Sequence, residues 1–240
     1  MISLATFVVY FQDVCDAGYS HVFSQQYWPR KEKMNWADLW VIPVAYLLGA
    51  IPSSYIVARF KGGQDIRDEP DGKVSAATVY RRVGLLPFLM TVVMDMGKTA
   101  LAVMITQWVK VPPEAVLIAG ICAIAGHQWS VFIRFKGGLG ATASGGVLFT
   151  VATFPSLIGA AMAGLLMWRT HNSTLSYVIG VLVAFLVIFL LQWAQVAPPL
   201  LFLEFPPSPL LVAYPVILLL MMALKALQIK YRSGITTKAK

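Results

Sequence analysis

The chain is 240 residues long, 58% hydrophobic and only 12% charged, with a formal net charge of +8. So apolar a chain is not an ordinary soluble domain, and its apolar runs are too long and continuous for the roughly 10-residue alternating strands of a membrane barrel. Helices remain as the spanning element, and the positive excess then reads as loop charge bias before it reads as nucleic-acid binding. Residues 1–36 carry a short apolar patch, Leu4 to Phe11, and end in WPRKEKMNW. They are too short to span and read as an extracytoplasmic or interfacial extension with no cleavable signal. Clear spans are expected from Leu39 to Phe60, Gly84 to Val109, Ala115 to Ile133, Leu175 to Val196 and Leu210 to Ile229. The stretch from Ala141 to Trp168, expected to break at Pro155, is long for one span and short for two.

Loop charge decides between the two. If the stretch enters and returns, then Arg59, Lys61, Arg67, Lys73, Arg81, Arg82, Arg134, Lys136, Arg169 and the basic tail Lys230 to Lys240 share one side. The other side keeps Arg30, Lys31, Lys33 and Lys110. The positive-inside rule selects this arrangement, with the N-terminus outside and the C-terminus in the cytoplasm of what reads as a bacterial inner membrane. The expected fold is an all-α integral membrane protein of seven helical passes, two of them short or re-entrant. Residues 37–232 form its membrane domain and 233–240 its cytoplasmic tail.

Chemistry concentrates on that basic side. GHQWSVFIRFKGGLGATA places His127, Arg134 and Lys136 beside Gly137, Gly138 and Gly140, and glycine turns with flanking cations suit a phosphate. The loop from Gly62 to Arg82 adds Arg67, Lys73 and Arg81. Asp95 and Lys98, three apart, share one face midway along an apolar span, where an unpaired charge is expensive. They are expected to pair with each other or with an inserted loop residue, either to fix helix packing or to act directly. His127 reads equally as a satisfied buried histidine or as a general acid/base. Asp65 and Arg67 read as a solvated loop, or Asp65 as holding an arginine toward an anionic ligand. Cys15, Cys122, His21 and His171 make no framework at ligand spacing, so neither metal nor disulfide is expected.

GAIPSSYIVARFKGGQDIR, MDMGK and GHQWSVFIRFKGG resemble, in order and spacing, three motifs of the PlsY family of acyl-phosphate-dependent glycerol-3-phosphate acyltransferases. The resemblance covers Tyr46 to Ala143 well and implies that family's seven-helix fold with cytoplasmic motif loops. It also implies transfer of an acyl chain from acyl phosphate to glycerol 3-phosphate, giving lysophosphatidic acid without metal or other cofactor. Catalysis would fall to His127 and Asp95. Phosphate or lipid binding would fall to Arg67, Lys73, Arg81, Lys98, Lys136, Gly137 and Gly138.

The chain departs from the family pattern at several of these places. Where the family resembles GSGNxGATNxxR, this sequence has PDGKVSAATVYR, which puts Asp71, Lys73, Ser75, Ala77 and Thr78 at serine, asparagine, glycine, threonine and asparagine. The second lysine of FKGGKG is Leu139, and the proline of GHxxP is Ser130. Losing cations and donors weakens the grip on phosphate. The sequence therefore favours a non-catalytic accessory or lipid-holding subunit of a membrane assembly, with an active acyltransferase of phospholipid biosynthesis as the alternative. Membrane lipids are the expected partners, with other membrane subunits in the first reading and acyl phosphate and glycerol 3-phosphate in the second.

Overall fold

The computed structural model describes residues 34, 36–63, 65–67, 74–170, 172–194 and 209–238, and every regular element among them is helical. A 3-10 turn, Trp36–Trp40, leads into α1 (Val41–Ala50) and α2 (Ser53–Gly62). Then come α3 (Ala76–Val83), α4 (Leu85–Trp108) and α5 (Pro113–Gln128), which is followed by a 3-10 turn at Val131–Ile133. The chain continues through α6 (Ala141–Val151), α7 (Thr153–Thr170), α8 (Ser173–Trp193) and α9 (Pro209–Lys238). The expected extension lies almost wholly outside the described residues. At the other end α9 runs on past residue 233 without a break.

Among the described residues, five stretches are long and apolar enough to cross a membrane: Asp38–Gly62, Leu85–Trp108, Pro113–Ile133, Thr174–Leu191 and Leu210–Tyr231. Their outward faces carry exposed large side chains such as Leu86, Val93, Leu182 and Leu224. Such faces suit hydrocarbon and not water, and the chain is an integral membrane protein.

Two breaks differ from the sequence expectation. The first span is not continuous: Pro52 forces Ile51 into an extended conformation (φ −52°, ψ 120°) and splits it into α1 and α2. The second break falls at Ala152 (φ −151°, ψ 67°) and not at Pro155. Pro155 sits in the first turn of α7, where its missing N–H would have had no helical partner.

Small residues set the helix spacing, as lipid-embedded packing favours. A Cβ on Gly126 of α5 would overlap the Tyr46 carbonyl of α1, and one on Gly146 of α6 would overlap the Met96 carbonyl of α4. Thr99 Oγ1 ties the latter pair by donating to the Ala143 carbonyl at 2.8 Å. The main core collects Val41, Ala45, Val103, Ala119, Val147, Tyr214 and Leu218 from α1, α4, α5, α6 and α9. A smaller cluster of Val57, Ala58, Ile66, Val74, Val79 and Ile133 lies beneath the motif loops and holds them to the bundle.

Candidate active site

The site begins with the α1–α2 break. A helix interrupted at proline leaves carbonyls without their usual partners, and inside a membrane each must find another. Ala50 O accepts from Ser130 Oγ at 2.5 Å, and Ile51 O accepts from Lys98 Nζ at 2.6 Å and from the Ser53 N–H at 3.0 Å. The break therefore draws the end of α5 and the middle of α4 to one point.

Asp95 lies at that point with no solvent exposure. Its Oδ1 is 2.9 Å from Lys98 Nζ and 3.3 Å from His127 Nδ1, and its Oδ2 accepts from Thr142 Oγ1 at 3.2 Å. The expected pairing with Lys98 along α4 is present, and the further partner of Asp95 is His127 of helix α5, not an inserted loop residue. With Nδ1 facing the carboxylate, Nε2 is the ring nitrogen directed away from Asp95. Nε2 is turned toward the glycine loop, for a Cβ on Gly138 would stand only 2.7 Å from it.

A small cavity opens beside these groups. The α1–α2 junction lines it through Ile51 to Ser54, α4 through Asp95 and Lys98, and the α5 end through His127 and Ser130. Gly137, Gly138, Val74 and Ile133 complete the lining. A carboxylate-oriented imidazole, an ammonium and glycine backbone around one cavity can take a proton and hold an anion.

The remaining candidates lie elsewhere. Arg67 binds Asp65 through Nε (2.9 Å) and Nη2 (2.5 Å) and stacks 4.8 Å above the Tyr55 ring, with its side chain 45% exposed. The Arg67 side chain, seconded by its backbone N–H, holds the Asp65 carboxyl down at about 2. Asp65 holds Arg67, but in an exposed loop pair and not against the cavity. Arg81 is exposed and lies 3.5 Å from Thr78 Oγ1, while Lys136 is half-buried. Arg67, Arg81 and Lys136 do not line the cavity, so the expected convergence of cations there reduces to Lys98. Lys73 and Asp71 lie outside the described residues.

A sequence model described as "Glycerol-3-phosphate acyltransferase" matches residues 39–238. The chain belongs to this acyltransferase family. It is 38% identical over 123 residues to glycerol-3-phosphate acyltransferase 4 of Dehalococcoides mccartyi, covering 51% of this chain and 53% of that protein. It is 39% identical to glycerol-3-phosphate acyltransferase 2 of Moorella thermoacetica over 48% of this chain and 59% of that one. The chain spans a little over half the length of these curated relatives. The crystal structure of PlsY, an integral membrane glycerol 3-phosphate acyltransferase, in its glycerol 3-phosphate form superposes with a TM-score of 0.61 at 24% identity. That match covers 84% of this chain and 90% of the PlsY chain, and it supports the same all-helical fold.

Against the PlsY pattern, several departures have local structural roles. Ser130, at the family proline, supplies the hydroxyl that caps the Ala50 carbonyl. Ser75, at a family glycine, is the N-cap of α3, accepting from the Thr78 N–H at 3.4 Å with its hydroxyl 3.2 Å from Thr78 Oγ1. Thr78 is fully buried, so its hydroxyl is committed to this cap and to Arg81. Leu139 is half-buried, and its carbonyl accepts from Gln128 Nε2 at 2.9 Å. What the backbone at that position does in the fold does not need a lysine side chain.

Sequence reasoning missed Ser53, Ser54 and a second polar cluster. Lys225, only 1% exposed, stands 5.3 Å above the Trp129 ring, 3.3 Å from Gln228 Oε1 and 3.5 Å from the Phe135 carbonyl. Trp129 Nε1 donates to the same Gln228 oxygen at 2.9 Å. This cluster fastens α9 to a loop whose Arg134 and Phe135 both take left-handed backbone (φ 52° and 61°). An ionisable residue inside the last span was the available signal for Lys225. The two serines gave none, because serine is common at any helix start.

Proposed function

We propose that this chain is an active membrane acyltransferase that moves an acyl chain from acyl phosphate to glycerol 3-phosphate, giving lysophosphatidic acid and phosphate. The observation that carries this reading is the buried Asp95–His127 pair with Nε2 turned to a cavity that Lys98 also lines. The acceptor hydroxyl oxygen attacks the acyl carbonyl carbon while its proton passes to His127 Nε2. The carbonyl carbon to phosphate oxygen bond then breaks, and phosphate leaves with the electron pair. Asp95 stabilises the imidazolium that forms, and Lys98 offsets the negative charge moving onto the leaving group.

The direct test is turnover by the purified chain of a long-chain acyl phosphate with glycerol 3-phosphate. His127→Ala should lower kcat by about 10²- to 10⁴-fold, the usual worth of a general base. Asp95→Asn should lower it comparably by presenting the wrong donor to Nδ1.

One observation favours the second reading, a non-catalytic lipid-holding accessory subunit: Leu139 and Asp71 stand where the family pattern has a lysine and a serine. A wild-type chain without turnover, not recovered by restoring the family residues of both loops, would select it. In either case we place the chain in a bacterial inner membrane with its motif loops and C-terminus cytoplasmic, because the basic residues then collect on one side. Cysteines introduced at Lys73 and Lys238 should react only from the cytoplasm, and one at Lys33 only from outside. Labelling of Lys73 and Lys238 from opposite sides would rule that topology out.

A further inference from the structure

We propose that the N-terminus of α2, with the Ser53 and Ser54 hydroxyls and Lys98, is a phosphate subsite of this chain. The inference deepens the acyltransferase reading and rests on it for the identity of the substrate that carries the phosphate. Three independent features meet there. Ser53 and Ser54 are 1% and 3% exposed, both line the cavity, and neither hydroxyl has a protein partner. A buried hydroxyl without a partner is rarely tolerated unless something binds it. Pro52 is the N-cap of this ten-residue helix and makes no side-chain cap, so the first-turn N–H groups beyond Ser53, whose own N–H bonds the Ile51 carbonyl, have no side-chain partner. Lys98 lines the same cavity, its Nζ braced by Asp95 and the Ile51 carbonyl.

The chemistry of this set is that of an anion cradle. Helix N-terminal N–H groups, two hydroxyl donors and an ammonium match a phosphate's several acceptor oxygens, and the helix dipole favours negative charge at that end. Gly137, Gly138 and His127 line the same cavity as Ser53 and Ser54, so a phosphate held by the serines lies beside the glycine loop and His127. Asp95 is the opposing charge in the cavity, and its carboxylate is engaged by Lys98, His127 and Thr142. Such a subsite supplies donors independent of those the chain lacks at Ala77 and Leu139. It therefore reconciles a departed motif with retained phosphate chemistry.

The test uses the full chain in detergent, with inorganic phosphate and glycerol 3-phosphate as probes and glycerol as the uncharged control. Both phosphates should raise the melting temperature of the wild type, and glycerol should not. The Ser53→Ala/Ser54→Ala double variant should keep its phosphate-free melting temperature, since the removed hydroxyls have no protein partner. It should also need about tenfold more phosphate for the same shift, the worth of roughly one or two lost hydrogen bonds. Steady-state kinetics identifies the occupant. A rise confined to the KM for glycerol 3-phosphate assigns the subsite to the acceptor's phosphate, and a rise confined to the KM for acyl phosphate assigns it to the donor's. Absence of any phosphate shift in the wild type, or an unchanged shift in the double variant, overturns the subsite even if turnover is robust. A shift that the double variant loses, in a chain without turnover, keeps the subsite and removes the acyltransferase reading instead.

Discussion

Asp65 and Asp95 each have a basic residue two or three positions along the chain, and their surroundings make them different devices. Asp65 pairs with Arg67 in a loop, and both side chains keep a third or more of their exposure. Asp95 pairs with Lys98 inside a spanning helix, and both are buried. Water solvates the first pair whether or not it forms, so pairing there adds little. In the second, the protein must replace the solvent completely, which brings His127 and Thr142 into the same constellation. The pairing rule is the same in both places, and burial decides which pair organises a site.

The sharpest test of that contrast is to delete each carboxylate in turn. Asp95→Ala leaves the buried Lys98 without its counter-charge and His127 without its carboxylate, and breaking a buried pair costs about 3–5 kcal/mol. The expected outcome is a chain recovered poorly as a monodisperse species by size-exclusion chromatography, with no measurable transfer activity. Asp65→Ala should purify and melt like the wild type. Equal losses from the two substitutions would mean that the loop pair also organises the fold.

The same contrast explains what could be read in advance. Spans and the polar face of α4 follow from hydropathy and helical spacing, so Asp95 with Lys98 was visible, as was His127 at the end of its span. Loop cations were visible too, but sequence cannot say which way a loop turns. Arg67 and Arg81 therefore looked as convergent as Lys98, whereas Arg67 is occupied by Asp65 and Tyr55 and Arg81 lies beside Thr78. The Pro52 break was legible as a proline, yet its consequence depends on Ser130 and Lys98 arriving from remote segments. Ser130 illustrates the limit best: against the family pattern it is a loss, and in the fold it caps an orphaned carbonyl.

Next in size is the close approach of the glycine loop to His127. Gly138→Ala would place a methyl 2.7 Å from Nε2 and 3.1 Å from the Val74 carbonyl, so the loop or the ring must shift. A shift near 1 Å at a reacting group costs about 10²-fold, and kcat should fall by that order with only a modest loss of melting temperature. Gly97→Ala is the control, because nothing lies within 4 Å of its added methyl. It should retain full activity and gain slightly in helix stability. An active Gly138→Ala variant would show that Nε2 is not the working nitrogen.

A smaller effect is expected at the α9 clamp. Lys225→Met keeps the volume and removes a buried charge, so thermal stability should hold or rise. With the ammonium gone, the Phe135 carbonyl loses one tie to α9, and kcat should fall by up to about tenfold through misplacement of the glycine loop. Lys225→Arg, which can restore the charge and the stacking on Trp129, should recover part of it.

The smallest effect belongs to the exposed pair, and its pH dependence has a definite sign. Arg67 depresses the Asp65 carboxyl from 3.8 to about 2, so the folded state favours the charged form. A depressed carboxylate contributes its stability above its unfolded value and loses it as pH falls through the folded one. The Asp65–Arg67 pair should therefore remain intact from neutral pH down to about 4 and weaken only between about 4 and 2. Because both groups meet solvent, salt should screen what little the pair contributes. Melting curves of the wild type and Asp65→Ala should coincide within error in high salt at every pH. At low salt they should differ slightly at neutral pH and merge as the pH drops toward 2. A gap between them that widens on acidification would contradict the sign, and with it the view that Asp65 is held charged by Arg67.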